Sequence, residues 1–281
     1  MCWVSVGRTT PRGRASPEVA DPRRVVVVGA ASGIGAATAA HFHHRGDHVL
    51  AVDRRRHSTP ASEYADCDLA NPSEIAALLN GIGSDWDILA HVAGIPGTAP
   101  AVDVLTINYL GTRLVVEGML PLMRRGGAII TVGSTAALGW EQRQDALAGL
   151  LAARDVESVE RWCAGQDPAM SYYTSKQAVI MFTKRIAALA WSEYGVRANV
   201  VSPGPVETPI LPDFEATIGR EALEAALGSV GRHATVDDVV PVIEFLASAQ
   251  AGWVNGQDIQ VDGGYVASLV VGTPVQPSAT P

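Results

Sequence analysis

Short apolar runs, each followed by a glycine-rich turn or a helix-forming stretch, recur along this chain. The first is Val25-Val26-Val27-Val28, which has no polar alternation and predicts a strand buried on both faces, as in a parallel sheet covered by helices. Gly29-Ala30-Ala31-Ser32-Gly33-Ile34-Gly35 follows as a turn, and good helix formers from Ala36 to Phe42 predict a helix over 33–45. Val49 to Asp53 is a second apolar strand, and Glu63 to Asp68 a short third one. Pro72 starts a helix, Asp87 to Gly94 reads as a fourth strand, and 100–125 reads as one long helix. Ala128 to Ser134 is a fifth strand, and 169–194 a long helix. Val196 to Val201, helix 235–248 and strand 257–262 complete the series. This alternation predicts right-handed crossovers and an α/β, Rossmann-type doubly wound sheet with helices on both faces.

Two stretches break the rhythm. Residues 135–168 carry two polar helical patterns, about 141–154 and 156–165, tipped with Leu138, Trp140, Leu147, Leu150, Leu151 and Trp162. They are either a peripheral insertion burying its own apolar side or a hood over the site beside Ser134. The hood is preferred because sites in such sheets lie at strand C-termini. Residues 207–230 read as a second, mobile substrate loop. Residues 1–22 mix three arginines with Pro11, Gly13 and Pro17, and read as a flexible arm or an over-long start. The catalytic domain is expected over 23–266 and a C-terminal tail over 267–281.

The strand, glycine turn and helix N-terminus converge on one point with free N–H groups and the positive end of the helix dipole. A dinucleotide pyrophosphate suits that point, held around Gly29, Ser32, Gly33, Ile34 and Gly35. Asp53 ends the second strand 18 residues after Gly35, where a carboxylate bonds the adenosine ribose hydroxyls. That position favours NAD, although Arg54, just beyond it, would suit the 2′-phosphate of NADP.

Composition narrows the field. A 281-residue chain that is 47% hydrophobic has ample core for one large α/β unit. A net charge of −8 argues against nucleic acid or an anionic membrane as the main partner. No apolar run approaches the roughly 20 residues of a membrane span. Cys2, Cys67 and Cys163 are scattered without metal-ligand spacing, an odd count that suits a reducing cytoplasm. His41, His44 and His48 read as partly exposed residues favoured by a helix C-terminus, and no metal is expected.

Tyr172 and Lys176, four apart on a predicted helix, share one face, while Tyr173 points about 100° away. A phenol of pKa about 10 is a weak base, and a neighbouring ammonium favours its phenolate. With Ser134 in the same sheet, and with Asp68-Leu69, Ala93-Gly94, Asn108 and Pro203-Gly204-x-x-x-Thr208, the chain resembles the short-chain dehydrogenase/reductase family over about 23–266. Within it, the coniferyl-alcohol dehydrogenase and 3α-hydroxysteroid dehydrogenase/carbonyl reductase subgroups look most similar, through Ala93 to Thr98, Pro203 to Leu211 and the long segment before Tyr172.

The resemblance implies a seven-stranded parallel sheet. It also implies that Tyr172 exchanges a proton with the substrate, Ser134 bonds the same oxygen, Lys176 holds the nicotinamide ribose, and Asn108 anchors a relay water. Val206 and Thr208 would meet the carboxamide end of the cofactor. His91 stands where the family often has asparagine, a residue that mainly supports the strand.

Ile95, Pro96, Leu138, Trp140, Pro205, Val206, Leu211 and Phe214 are expected nearest the reacting carbon. They bring no arginine or lysine, which favours a neutral, ring-bearing alcohol or ketone. The expected function is NAD-linked interconversion of such an alcohol and its carbonyl, in a cytoplasmic homodimer or homotetramer. A non-redox enzyme of the same fold and a non-catalytic NAD-binding regulator remain as alternatives.

Overall fold

A computed structural model describes residues 22–55 and 57–272. Residues 1–21 of the expected N-terminal arm, Arg56 and residues 273–281 of the expected tail lie outside the described residues. The chain runs β1 (Arg24–Val28), α1 (Gly33–His44), β2 (His48–Asp53), β3 (Glu63–Asp66), α2 (Pro72–Gly81), β4 (Trp86–His91), α3 (Ala101–Leu105), α4 (Thr112–Met119) and β5 (Met123–Val132). It continues with α5 (Ala148–Ala152), α6 (Val156–Cys163), α7 (Ser171–Leu189), β6 (Arg197–Pro203), α8 (Leu211–Ile218), α9 (Arg220–Val230), α10 (Val236–Ala247), β7 (Asp258–Val261) and α11 (Tyr265–Val271).

Seven parallel strands lie in the order β3-β2-β1-β4-β5-β6-β7. The strand order reverses between β1 and β4, which opens the crevice where such sheets bind ligands. Both faces of β1 are buried: Val26 and Val28 enter one core cluster, Val25 and Val27 the other. The turn after β1 demands glycine. Gly29 has φ +89°, and a Cβ there would fall 2.6 Å from the backbone of Ala93. A Cβ on Gly35 would overlap the carbonyl oxygen of Gly29.

Several elements differ from the expected pattern, among them β5, which begins at Met123 inside the stretch expected to be helical and ends at Val132. The helix expected over 100–125 is a composite: α3 passes into a π-helical turn, Thr106–Gly111, before α4, and Asn108 sits in that turn. Within the expected substrate loop 207–230, Leu211–Ile218 and Arg220–Val230 form α8 and α9. The expected tail boundary at 266 falls inside α11, so the ordered fold extends beyond it.

The expected hood is also corrected. Leu147, Leu150, Leu151 and Val159 are buried in the main core with Leu110, Val115 and Met119, so 141–165 packs beside the sheet rather than over the cleft. Backbone bonding holds it there, because the buried Arg113 donates to the carbonyls of Leu151 (2.7 Å) and Ala153 (2.8 Å) and Tyr109 Oη donates to Leu151 (3.1 Å). Leu150→Ala is expected to destabilise the protein by about 2–5 kcal/mol, since it empties a fully buried site. Excising 141–165 should lose the cooperative unfolding transition rather than merely raise KM. Chemical denaturation of both variants checks this.

Candidate active site

A cleft of about 850 Å³ runs along the C-terminal ends of the strands. At one end lie Asp53, Arg54, Arg55, His57, Cys67, Asp68 and Leu69. The Asp53 carboxylate accepts from Ala31 N (3.0 Å) and Arg55 N (3.1 Å), which ties the end of β2 to the glycine turn. Burial pushes the Cys67 thiol up to about 11, so it stays an inert wall at neutral pH. In the middle, Gly29, Ser32, Gly33, Ile34 and Gly35 form the floor, facing Ala93, Gly94, Pro203, Gly204, Val206 and Thr208.

At the reacting end Ser134, Tyr172 and Lys176 come together from the end of β5 and the first turns of α7. Ser134 Oγ accepts from Ala136 N at 3.1 Å, which fixes its orientation. Burial raises the Tyr172 phenol, and a hydrogen bond with Ser134 partly opposes this. Lys176 is brought down to about 8 by burial. Its ammonium donates to the Val132 carbonyl at 2.9 Å and lies 5.9 Å from the centre of the Tyr172 ring. Tyr173 also lines the cleft, but it is Tyr172 that is buried there.

Asn108 stands behind the cleft rather than in its wall. Its Oδ1 accepts from Ile95 N (2.7 Å), and its Nδ2 donates to Ile95 O (2.9 Å) and Ser175 Oγ (3.1 Å). A Cβ on Gly94 would lie 3.3 Å from both Asn108 Oδ1 and Lys176 Nζ. The bare backbone at 94 is thus what lets the two polar groups approach the same loop.

Of the expected substrate residues, Ile95, Pro96, Leu138, Pro205, Val206 and Phe214 line the cleft. Trp140 does not, because it packs against the Ala137, Ile180 and Val200 cluster, with Lys184 Nζ 5.5 Å above its ring. Leu211 does not either. Ile210, Phe214 and Ile218, spaced by four, share the face of α8 that meets the cleft, and Leu211 is a step of about 100° off it. That spacing was readable in the sequence. Leu223, Ala226, Tyr265 and Leu269 also line the cleft, and no motif marked them.

A glycine-turn cleft with a Ser-Tyr-Lys group at the switch point defines an oxidoreductase of the dinucleotide-binding α/β class. Residues 23–144 match the family described as short chain dehydrogenase, and 155–266 the one described as Enoyl-(Acyl carrier protein) reductase. Coniferyl-alcohol dehydrogenase of Pseudomonas sp. is 33% identical, over 88% of this chain and 98% of that protein. The 3-alpha-hydroxysteroid dehydrogenase/carbonyl reductase of Comamonas testosteroni is 30% identical, over 87% of this chain and 97% of that protein. The crystal structure of 3-alpha-hydroxysteroid dehydrogenase from Pseudomonas sp. B-0831 complexed with NADH is 31% identical, with a TM-score of 0.74, over 90% of this chain and all of that one. The chain belongs to the short-chain dehydrogenase/reductase family.

His91, at the end of β4, is buried and held neutral, its pKa brought down to about 3 by burial and secondarily by the Lys176 charge. Between about 6.5 and 3 the unfolded chain therefore binds a proton that the native protein refuses, and stability falls as pH drops through that window. His91→Asn should flatten this acid-side loss. Thermal unfolding of both proteins from pH 7 to pH 4 measures it, and parallel curves would contradict the assignment.

Proposed function

We propose that the protein interconverts a hydrophobic, ring-bearing alcohol and its carbonyl compound using NAD(H). The observation that carries this reading is Ser134 beside the buried Tyr172 and Lys176, at the apolar end of a cleft whose other end suits a dinucleotide. The residues present fit that cofactor. Gly29 and Gly35 leave no room for a side chain at the turn, Gly33 approaches Thr208 within 3.2 Å of a would-be Cβ, and Asp53 stands where ribose hydroxyls need an acceptor. Gly33 to Gly35 would cradle the pyrophosphate, Asp53 the adenosine ribose, and Lys176 the nicotinamide ribose. The nicotinamide, when bound, supplies the hydride chemistry.

The chain's own groups handle the proton. In the direction of carbonyl reduction, Tyr172 donates its phenolic proton to the substrate oxygen, and in alcohol oxidation it takes that proton back. Ser134 holds the same oxygen, so charge developing there meets two hydroxyl donors. The phenolate left on Tyr172 is stabilised by the ammonium of Lys176, which at neutral pH keeps its proton despite burial. Asn108 positions the loop at Ile95 through both of its amide atoms. Apolar Ile95, Pro96, Pro205 and Phe214 exclude water and offer no charged partner to a phosphate or carboxylate. This supports a neutral substrate, in keeping with the named activities of the coniferyl-alcohol and 3-alpha-hydroxysteroid relatives.

Tyr172→Phe is expected to lower kcat by at least about a hundredfold, with NADH affinity within a few-fold of wild type. Steady-state kinetics with fluorescence titration of NADH checks it. A greater loss from Tyr173→Phe would reverse the two tyrosines' roles. Asp53 should repel a 2′-phosphate, so wild type is expected to favour NADH over NADPH in kcat/KM, and Asp53→Ala to narrow or invert that preference. A wild-type preference for NADPH would assign this corner to Arg54 instead.

A further inference from the structure

The stretch between β5 and α7 does not cover the cleft, but it walls a cavity of its own. A space of about 150 Å³ lies between α3, α6 and the start of α7, and none of its lining residues also lines the cleft. A cavity of that size holds one benzene-sized ring. Leu105, Trp162 and Met170 give it an apolar wall. Gly149 makes room for the Trp162 side chain, since a Cβ on residue 149 would fall 2.9 Å from the indole.

The polar groups of this wall are mostly hydrogen-bond donors that lack acceptors. The guanidinium of Arg143, a half-buried residue, makes no ion pair or hydrogen bond among the described residues. The indole N–H of Trp162 is likewise without an acceptor there. Ser171 and Thr174 are buried, and neither hydroxyl has a hydrogen-bond partner among the described residues. Asp167, the acid in the wall, is engaged by the backbone, its Oδ1 accepting from Ala169 N at 3.0 Å. An unpaired cation and unpartnered N–H and O–H groups beside an apolar space call for an anionic acceptor carried on a ring.

We infer that this cavity binds a small ring-bearing monocarboxylate, with its carboxylate on Arg143 and the Trp162 N–H and its ring against Leu105 and Met170. The site is separate from the cleft and does not rest on the alcohol–carbonyl reading. It borders two elements of the catalytic end from behind. Leu105 ends α3, which passes into the turn carrying Asn108, and Ser171 immediately precedes Tyr172 on α7.

The probe is benzoate, with benzamide as its uncharged counterpart, titrated into the full chain with and without NADH. Calorimetry should give one site with a Kd of about 1 mM or tighter, which NADH does not displace. Benzamide on wild type, and benzoate on Arg143→Gln, should each bind at least about tenfold more weakly, the size of one charge-assisted hydrogen bond. Cys163 lines this cavity, whereas Cys67 lines the cleft, so alkylation by N-ethylmaleimide read peptide by peptide locates the ligand. At about ten times its Kd, benzoate should slow alkylation of Cys163 roughly tenfold through occupancy alone. Absence of saturable binding in the millimolar range, unchanged affinity in Arg143→Gln together with equal binding of benzamide, displacement by NADH, or an unprotected Cys163 would each overturn the inference. The alcohol–carbonyl reading is decided by turnover and is untouched by any of these results.

Discussion

Close approach of two backbones holds the cleft in shape. Gly29, at the end of β1, lies so near Ala93 that any side chain would collide with main-chain atoms. The same turn donates Gly29 N to Val52 O at 2.8 Å, and Val52 is the penultimate residue of β2, which ends in Asp53. The ends of three strands are therefore locked to one another without a side chain between them. The dinucleotide corner, the loop carrying Ile95 and Pro96, and the approach of Asn108 and Lys176 to Gly94 all depend on that contact.

Burial then sets the electrostatics. Lys176 is the charged group at the reacting end, and burial strips it of water and loosens its proton. The Val132 carbonyl offers partial compensation, and the uncharged His91 nearby adds no second cation. The same burial raises the Tyr172 phenol, so the resting protein holds it protonated. A long-range arrangement of neutral and charged groups does this, not the Tyr-x-x-x-Lys spacing alone. Phe214, 5.1 Å from Tyr172 between ring centres, closes the phenol off from bulk water.

The two ends of the cleft have different construction. The dinucleotide end is made of strand termini and one turn, all central to the sheet. The other end is roofed by α8, α9 and α11, which contribute few buried residues of their own. The floor therefore draws its rigidity from the centre of the sheet, and the roof is lightly packed.

Local pattern was sufficient for the number and order of the strands, for the glycine turn and for Tyr172 and Lys176 facing one cleft, because each follows from strand periodicity, steric need or helical spacing over a few residues. It was not sufficient for the stretch between β5 and α7. Its amphipathic helices showed an apolar side, but no local feature says which surface that side meets, and Arg113 and Tyr109, some forty residues earlier in the chain, decide it. Trp140 and Leu211 were apolar and close in sequence to the site, yet a side chain's direction depends on the packing beneath it. Asn108 illustrates the same limit, since a π-helical turn within an apparently continuous helix sets it behind the wall of the cleft. That Tyr265 and Leu269 line the cleft was invisible in the sequence, for contacts between elements distant in sequence exist only once the sheet has brought them together.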